Sequence, residues 1–102
     1  VAACAYLLAD IEVLDAADFA AYREANPAIV ARFGGEYLAL GGAVEVLEGA
    51  WQPHRTVMIR FPSMAALRQW YESPEYAAIR PIRERATRTR LVAIEGVATA
   101  SA

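Results

Sequence analysis

Cys4-Ala5-Tyr6-Leu7-Leu8-Ala9-Asp10-Ile11-Glu12-Val13 alternates, with Leu7, Ala9, Ile11 and Val13 on one face and Tyr6, Leu8, Asp10 and Glu12 on the other. A period of two over this length is a β-strand with one oily face and a mixed reverse. Arg55-Thr56-Val57-Met58-Ile59-Arg60-Phe61 repeats the pattern, with Val57, Ile59 and Phe61 opposed to Thr56, Met58 and Arg60. Strands of this kind belong to a sheet that takes helices on its oily side and leaves the other side open.

The segments around these strands supply the rest. Asp15 is placed to cap a helix, with Asp18 in its first turn, and Phe19, Tyr22, Asn26, Ile29, Val30 and Phe33 recur at helical spacing. Asn26-Pro27 predicts a kink or restart, and Gly34-Gly35 supplies the left-handed residue that ends helices. A second strand is expected from about Glu36 to Glu48, bent or bulged at Gly41-Gly42. Pro62 stops the third strand and Ser63 caps a helix over Met64 to Tyr71. Ser73-Pro74 then starts another helical piece, which Pro81 should limit or bend. Arg90 to Val97 alternates weakly and closes as a fourth strand. The order predicts an α+β, ferredoxin-like βαββαβ fold, with a four-stranded antiparallel sheet and both helices on one face. Residues 1–97 form one such domain, and the small-residue tail 98–102 is expected to fray.

Composition limits what this domain can be. With 102 residues, of which 57% are hydrophobic, it can bury one modest core, about 65% of the surface of its unfolded chain. Mean hydropathy is +0.22, high for a small chain, and a bare sheet face carrying Tyr6, Leu8 and Met58 needs cover. A homodimer through that open face is therefore expected. One cysteine, Cys4, and one histidine, His54, exclude a disulfide framework and a Cys/His zinc site. The apolar stretch Val1 to Ala9 stops at Asp10, too short for a membrane span and without a basic flank, so a cytoplasmic, membrane-free protein is expected. Neither Gly34-Gly35 nor Gly41-Gly42 has the spacing of a phosphate loop, and Ser63 and Ser73 lack the setting of a nucleophile. No cofactor or metal is called for.

Charge is divided unevenly. Residues 1–50 hold two arginines and eight acids, net −6, and residues 51–102 hold eight arginines and four acids, net +4, so the halves should attract. Arg80, Arg83, Arg85, Arg88 and Arg90 form the densest basic run. An anionic ligand or nucleic acid is one reading, and ion pairs to the acidic half are the plainer one. The run has no interleaved aromatic residue and the pI is near 5.3, which speaks against nucleic acid.

Candidate site residues fall into four groups. Tyr6, Asp10, Glu12 and Arg60 share the polar face of neighbouring strands, where they could hold a carboxylate, move a proton, or merely pair across an interface. Glu45 shares parity with Ala43 and Leu47 and is a candidate general base on an acidic C–H; its plainer role is as partner to an arginine. Trp51, His54 and Arg55 precede the third strand as a pocket rim, with Trp51 either packing or stacking on a ligand. Phe19, Tyr22, Phe33, Trp70, Tyr71 and Tyr76 are mostly core, but buried tyrosines need hydroxyl partners, and Trp70, Tyr71 and Tyr76 are candidate pocket walls. Catalytic candidates are thus Glu45 and Asp10, and ligand-binding candidates are Tyr6, Trp51, Arg60, Trp70, Tyr71 and Tyr76.

Asp10-Ile11-Glu12-Val13, Phe19 and Tyr22, Gly34-Gly35, Gly42 with Glu45-Val46-Leu47-Glu48-Gly49 and Trp51, Phe61-Pro62-Ser63, and Trp70-Tyr71 with Ser73-Pro74-Glu75-Tyr76 together resemble the domain-of-unknown-function 1330 (DUF1330) family, from about Ala5 to Val97. The resemblance implies the dimeric α+β barrel, in which two ferredoxin-like subunits join their sheets. That superfamily includes small monooxygenases without metal or flavin and muconolactone-isomerase-like enzymes, and it places ligands between helices and sheet. The function expected is binding of a small aromatic or anionic organic molecule by a dimer, with a cofactor-free activity of the monooxygenase or isomerase type. The alternative is a non-catalytic structural or binding dimer. A cavity of roughly 300 Å³ or more beside Glu45 or Asp10 and an aromatic wall favours the first, and a filled interior favours the second.

Overall fold

The computed structural model describes residues 3–98; the expectation of a frayed tail falls almost wholly on 99–102, outside the described residues. The elements run β1 (Ala5–Val13), α1 (Ala16–Arg32), β2 (Glu36–Leu40), β3 (Arg55–Phe61), α2 (Met64–Tyr71), α3 (Pro74–Ala86) and β4 (Thr87–Glu95). All strand pairs are antiparallel, in the order β2-β3-β1-β4. This is the expected βαββαβ arrangement, with its second helical crossover divided into α2 and α3.

The alternation of β1 and β3 fixes the layers. Ala5, Leu7, Ala9 and Ile11 pack with Val57, Ile59 and Phe61 beneath the helices, which contribute Phe19, Tyr22, Val30, Leu67, Trp70 and Tyr76 to the same core. The register pairs Tyr6 with Arg60 and Ile94, Leu8 with Met58 and Val92, and Asp10 with Thr56 and Arg90, all on the open side. Polar groups at the helix starts take up the first free backbone N–H groups: Asp15 accepts from Asp18 N at 3.0 Å, Ser63 from Ala66 N at 3.1 Å, and Ser73 from Tyr76 N at 3.1 Å. At the end of α1, Gly34 takes φ +79°, and the N–H groups of Gly34 and Gly35 return to the carbonyls of Ala31 and Val30.

Four expectations are corrected. β2 ends at Leu40 rather than near Glu48, because β3 offers it no partner beyond the Leu40–Val57 pair. The Gly41 N–H still reaches the Thr56 carbonyl at 2.9 Å, with Gly41 at φ +65°, and residues 42–54 then run without a strand neighbour. The bulge lies at Leu38, between Tyr37 and Ala39, not at the glycine pair; it returns Leu40 to the helix-covered side. Pro27 and Pro81 interrupt neither helix: α1 and α3 both run through them. β4 starts at Thr87, three residues early, because the Ala86 carbonyl at the end of α3 accepts from both Leu14 N and Asp15 N and docks the chain beside β1 at once.

Candidate functional site

The stripe of α1 that faces the sheet carries Phe19, Tyr22, Asn26 and Val30, so an amide sits where the pattern calls for an apolar residue. Asn26 is buried and organises a polar string inside the core. The Trp70 indole can only donate, and its Nε1 lies 3.2 Å from Asn26 Oδ1. That contact fixes the amide orientation and turns Nδ2 toward the hydroxyls of Tyr37, at 3.2 Å, and Tyr22, at 3.5 Å. Arg83 on α3, also buried, donates from Nε to the Tyr76 hydroxyl at 3.2 Å, and that hydroxyl lies 2.8 Å from the hydroxyl of Tyr22.

Donor counting gives the string a direction. Tyr76 is wholly buried, so its own proton has only the Tyr22 oxygen as acceptor among the described residues. Tyr22 and Tyr37 then both accept, from Tyr76 and Asn26, and each is left with an O–H proton that has no acceptor among the described residues. Both tyrosines line a cleft between helices and sheet, together with Leu7, Leu40 and Val57. Arg23, Arg55 and Arg83 also line it, and no carboxylate does. Burial, followed by the neighbouring Tyr76, pushes the Tyr22 hydroxyl far above the ordinary tyrosine range, and burial pushes Tyr37 up to about 12. Both are neutral donors at any physiological pH. The enclosed space is about 50 Å³, room for water molecules and well below the expected 300 Å³.

The polar face of the strands divides into two clusters where one was expected. Tyr6 and Arg60 are at one end, with Arg60 Nη2 held by Glu36 at 2.9 Å. Asp10 and Glu12 are at the other, four or more residues along the strand and so about 13 Å away. There Asp10 accepts the His54 backbone N–H at 2.7 Å and faces His54 Nδ1 at 3.2 Å. The backbone bond is the main reason its carboxyl sits below the usual range. Trp51, Arg88 and Arg90 border the same recess, whose volume is about 590 Å³.

Trp70 and Tyr76 stand one layer behind the cleft wall, holding Asn26 and Tyr22 in place. Tyr71 lines a separate outer groove between α2, α3 and β4, with the Arg80 guanidinium 4.6 Å from its ring centre. Glu45 lies in the exposed, unpaired 42–54 segment and borders none of these recesses. The basic run is largely spent on ion pairs: Arg85 chelates Asp18 at 2.7 and 2.9 Å, Arg80 lies 3.4 Å from Glu84, and Arg88 reaches Glu12 at 4.0 Å. Among the described residues no cluster of three His, Cys, Asp or Glu could hold a metal ion, and no helix is long and apolar enough to cross a membrane.

Tyr22, Asn26 and Tyr37 are cleft residues that the sequence did not single out as a site, and Arg83 stood out only as a member of the basic run. Their signal was present as polar groups on apolar stripes: Asn26 falls four residues after Tyr22, and Arg83 seven after Tyr76.

The family profile described as "Domain of unknown function (DUF1330)" matches residues 4–97. No curated protein matches the sequence. Among solved structures, a protein of unknown function from Rhodopseudomonas palustris is similar at 19% identity, covering 97% of this chain and 86% of that one, with a TM-score of 0.78. SnoaB, a cofactor-independent oxygenase from Streptomyces nogalater, is similar at 17% identity, covering 96% and 97%, with a TM-score of 0.63. A Bacteroides thetaiotaomicron protein described as a possible oxidoreductase is similar at 14% identity, covering 93% and 99%, with a TM-score of 0.60. At these identities the likeness is one of fold.

Proposed function

This chain belongs to the DUF1330 family, and on that footing we propose that its inner cleft binds a small, planar, acidic organic molecule such as a phenol, an enol or an aromatic acid. The observation that carries this reading is the pair of unclaimed hydroxyl protons on Tyr22 and Tyr37, in a cleft bordered by three arginines and no carboxylate. Neutral donors and fixed positive charge favour a ligand oxygen bearing negative charge, and the apolar lining favours a ring behind it.

Such a site lends itself to cofactor-free oxygenation. Stabilising the anion of an acidic CH₂ group prepares it to reduce dioxygen, and the balance closes as CH₂ + O₂ → C=O + H₂O, with all four electrons from the substrate. No carboxylate or histidine borders the cleft, so the substrate's own acidity, increased by the arginines, replaces a protein base. Entry requires the cleft to widen, and two of its lining residues, Tyr37 and half-exposed Leu40, are on the edge strand β2. The partner proposed for the open face is a second copy of the chain: Leu8, Met58, Val92 and Ile94 lie there with no helix above them.

Titration of 2-naphthol into labelled protein is expected to shift resonances of Tyr22, Asn26, Tyr37 and Leu40, and the Tyr22→Phe/Tyr37→Phe double variant to weaken binding about tenfold. Shifts confined to other residues, or equal binding by the double variant, would overturn the reading. Dioxygen uptake with an enolisable ligand then tests the oxygenase step separately. A second reading, a non-catalytic dimer, is favoured by the small enclosed volume of about 50 Å³; it predicts no binding and no widening of the cleft.

A further inference from the structure

The geometry points to a second small-molecule site on the opposite face of the sheet, built by Asp10, Trp51, His54 and Arg90, for an organic anion that also carries an acidic hydroxyl. Asp10 is ionised, and an ionised carboxylate can only accept. His54 Nδ1, 3.2 Å from Asp10 Oδ2, must therefore carry its proton toward Asp10. In the neutral ring the lone pair is then on Nε2, which has no hydrogen-bond partner among the described residues. An aspartate that sets the tautomer and orientation of a histidine leaves the far nitrogen as a directed acceptor for an acidic O–H.

The surroundings supply the other contacts. Arg90 lies across the sheet from Asp10 and, unlike Arg88 with Glu12, has no ion-pair partner among the described residues, which leaves its guanidinium for a carboxylate. Trp51 is 60% exposed, an uncommon state for an indole, and borders the same recess. At about 590 Å³ the recess lies within the size range of ligand pockets. The groups facing His54 are Asp10 and Glu12 on β1 and Arg88 and Arg90 on β4, two acids and two bases, so an incoming anion meets no net repulsion. The site is complete within one chain and uses no residue of the inner cleft named above, so the failure of either leaves the other standing.

The probe is 4-hydroxybenzoate, which joins a carboxylate to a phenol across a ring. Its addition is expected to shift the ¹⁵Nε2 resonance of His54, the single histidine, and the indole resonance of Trp51 while sparing that of Trp70. Arg90→Gln and His54→Gln should each weaken binding about tenfold or more. Asp10→Asn is the sharper variant: the Asn amide would donate to Nδ1, move the ring proton to Nε2 and abolish the acceptor. Its expected signature is a changed His54 tautomer in the ¹⁵N spectrum together with a loss of affinity equal to that of His54→Gln. No shift at Trp51 and His54, or an Asp10→Asn protein that switches tautomer yet binds as before, would overturn the assignment.

Discussion

On the covered side of the sheet, Leu7, Ile59 and Phe61 are at most 5% exposed, and the buried polar groups Asn26, Tyr22, Tyr76 and the Trp70 indole are hydrogen-bonded in one string. On the open side, Val92 and Ile94 of the neighbouring strand β4 remain 52% and 48% exposed. The two faces of one sheet thus meet two standards. A buried polar atom without a partner costs about 1–3 kcal/mol, so the covered side admits polarity only as a connected string. The open side has water to satisfy its charges, and its arrangement answers to whatever docks on it.

The contrast is broken most severely at Asn26. Asn26→Leu would leave the Trp70 indole N–H buried without an acceptor and free the hydroxyls of Tyr22 and Tyr37, so a loss of about 2–4 kcal/mol in urea unfolding is expected. A loss below about 1 kcal/mol, the range of ordinary surface changes, would refute the view that the string is structural. Ile94→Arg on the open side should lower unfolding stability far less and instead turn a dimer into monomers in sedimentation at micromolar concentration. An unchanged sedimentation coefficient would remove the second copy from that face.

The titration behaviour should differ between buried and exposed groups as well. The hydroxyl pKa of Tyr37 is raised above its unfolded value, to about 12, and that of Tyr22 is raised further. Stability held by their neutral forms is therefore complete below about pH 10 and lost as pH climbs through 12. Absorbance at the phenolate band should show these two ionising only with alkaline unfolding. Asp10 and Asp18 shift the other way, Asp10 through the His54 backbone N–H and Asp18 through Arg85. Their contribution is present above the ordinary carboxylate pKa and fades as pH falls below it, and both groups are solvated enough to make it small. Asp18→Asn should flatten the acid limb of the stability curve slightly, and an unaltered limb would assign the Arg85 pair no role.

The sequence was legible where a residue's fate depends on its chain neighbours. Alternation in β1 and β3, the caps Asp15, Ser63 and Ser73, and the Gly34-Gly35 stop all follow from local chemistry. It was illegible where a distant partner decides. Ala43, Glu45 and Leu47 alternate as a strand should, yet no strand among the described residues pairs with them. The arginines at 88 and 90 hid the start of β4 because their register opposite Glu12 and Asp10 is set by β1. The site divides in the same way: Trp70 and Tyr76 were recognisable as buried aromatics in need of partners, whereas the Asp10–His54 contact depends on residues 42–54 returning to the sheet.

That returning stretch has a topological consequence. A cut within it separates one fragment carrying β1, α1 and β2 from another carrying β3, α2, α3 and β4, but β1 sits between β3 and β4 in the sheet. Neither fragment can complete a sheet alone, and each supplies the slot the other fills. The chain is thus suited to be divided near Leu47 and reassembled from two separately produced pieces, an association that reports their encounter.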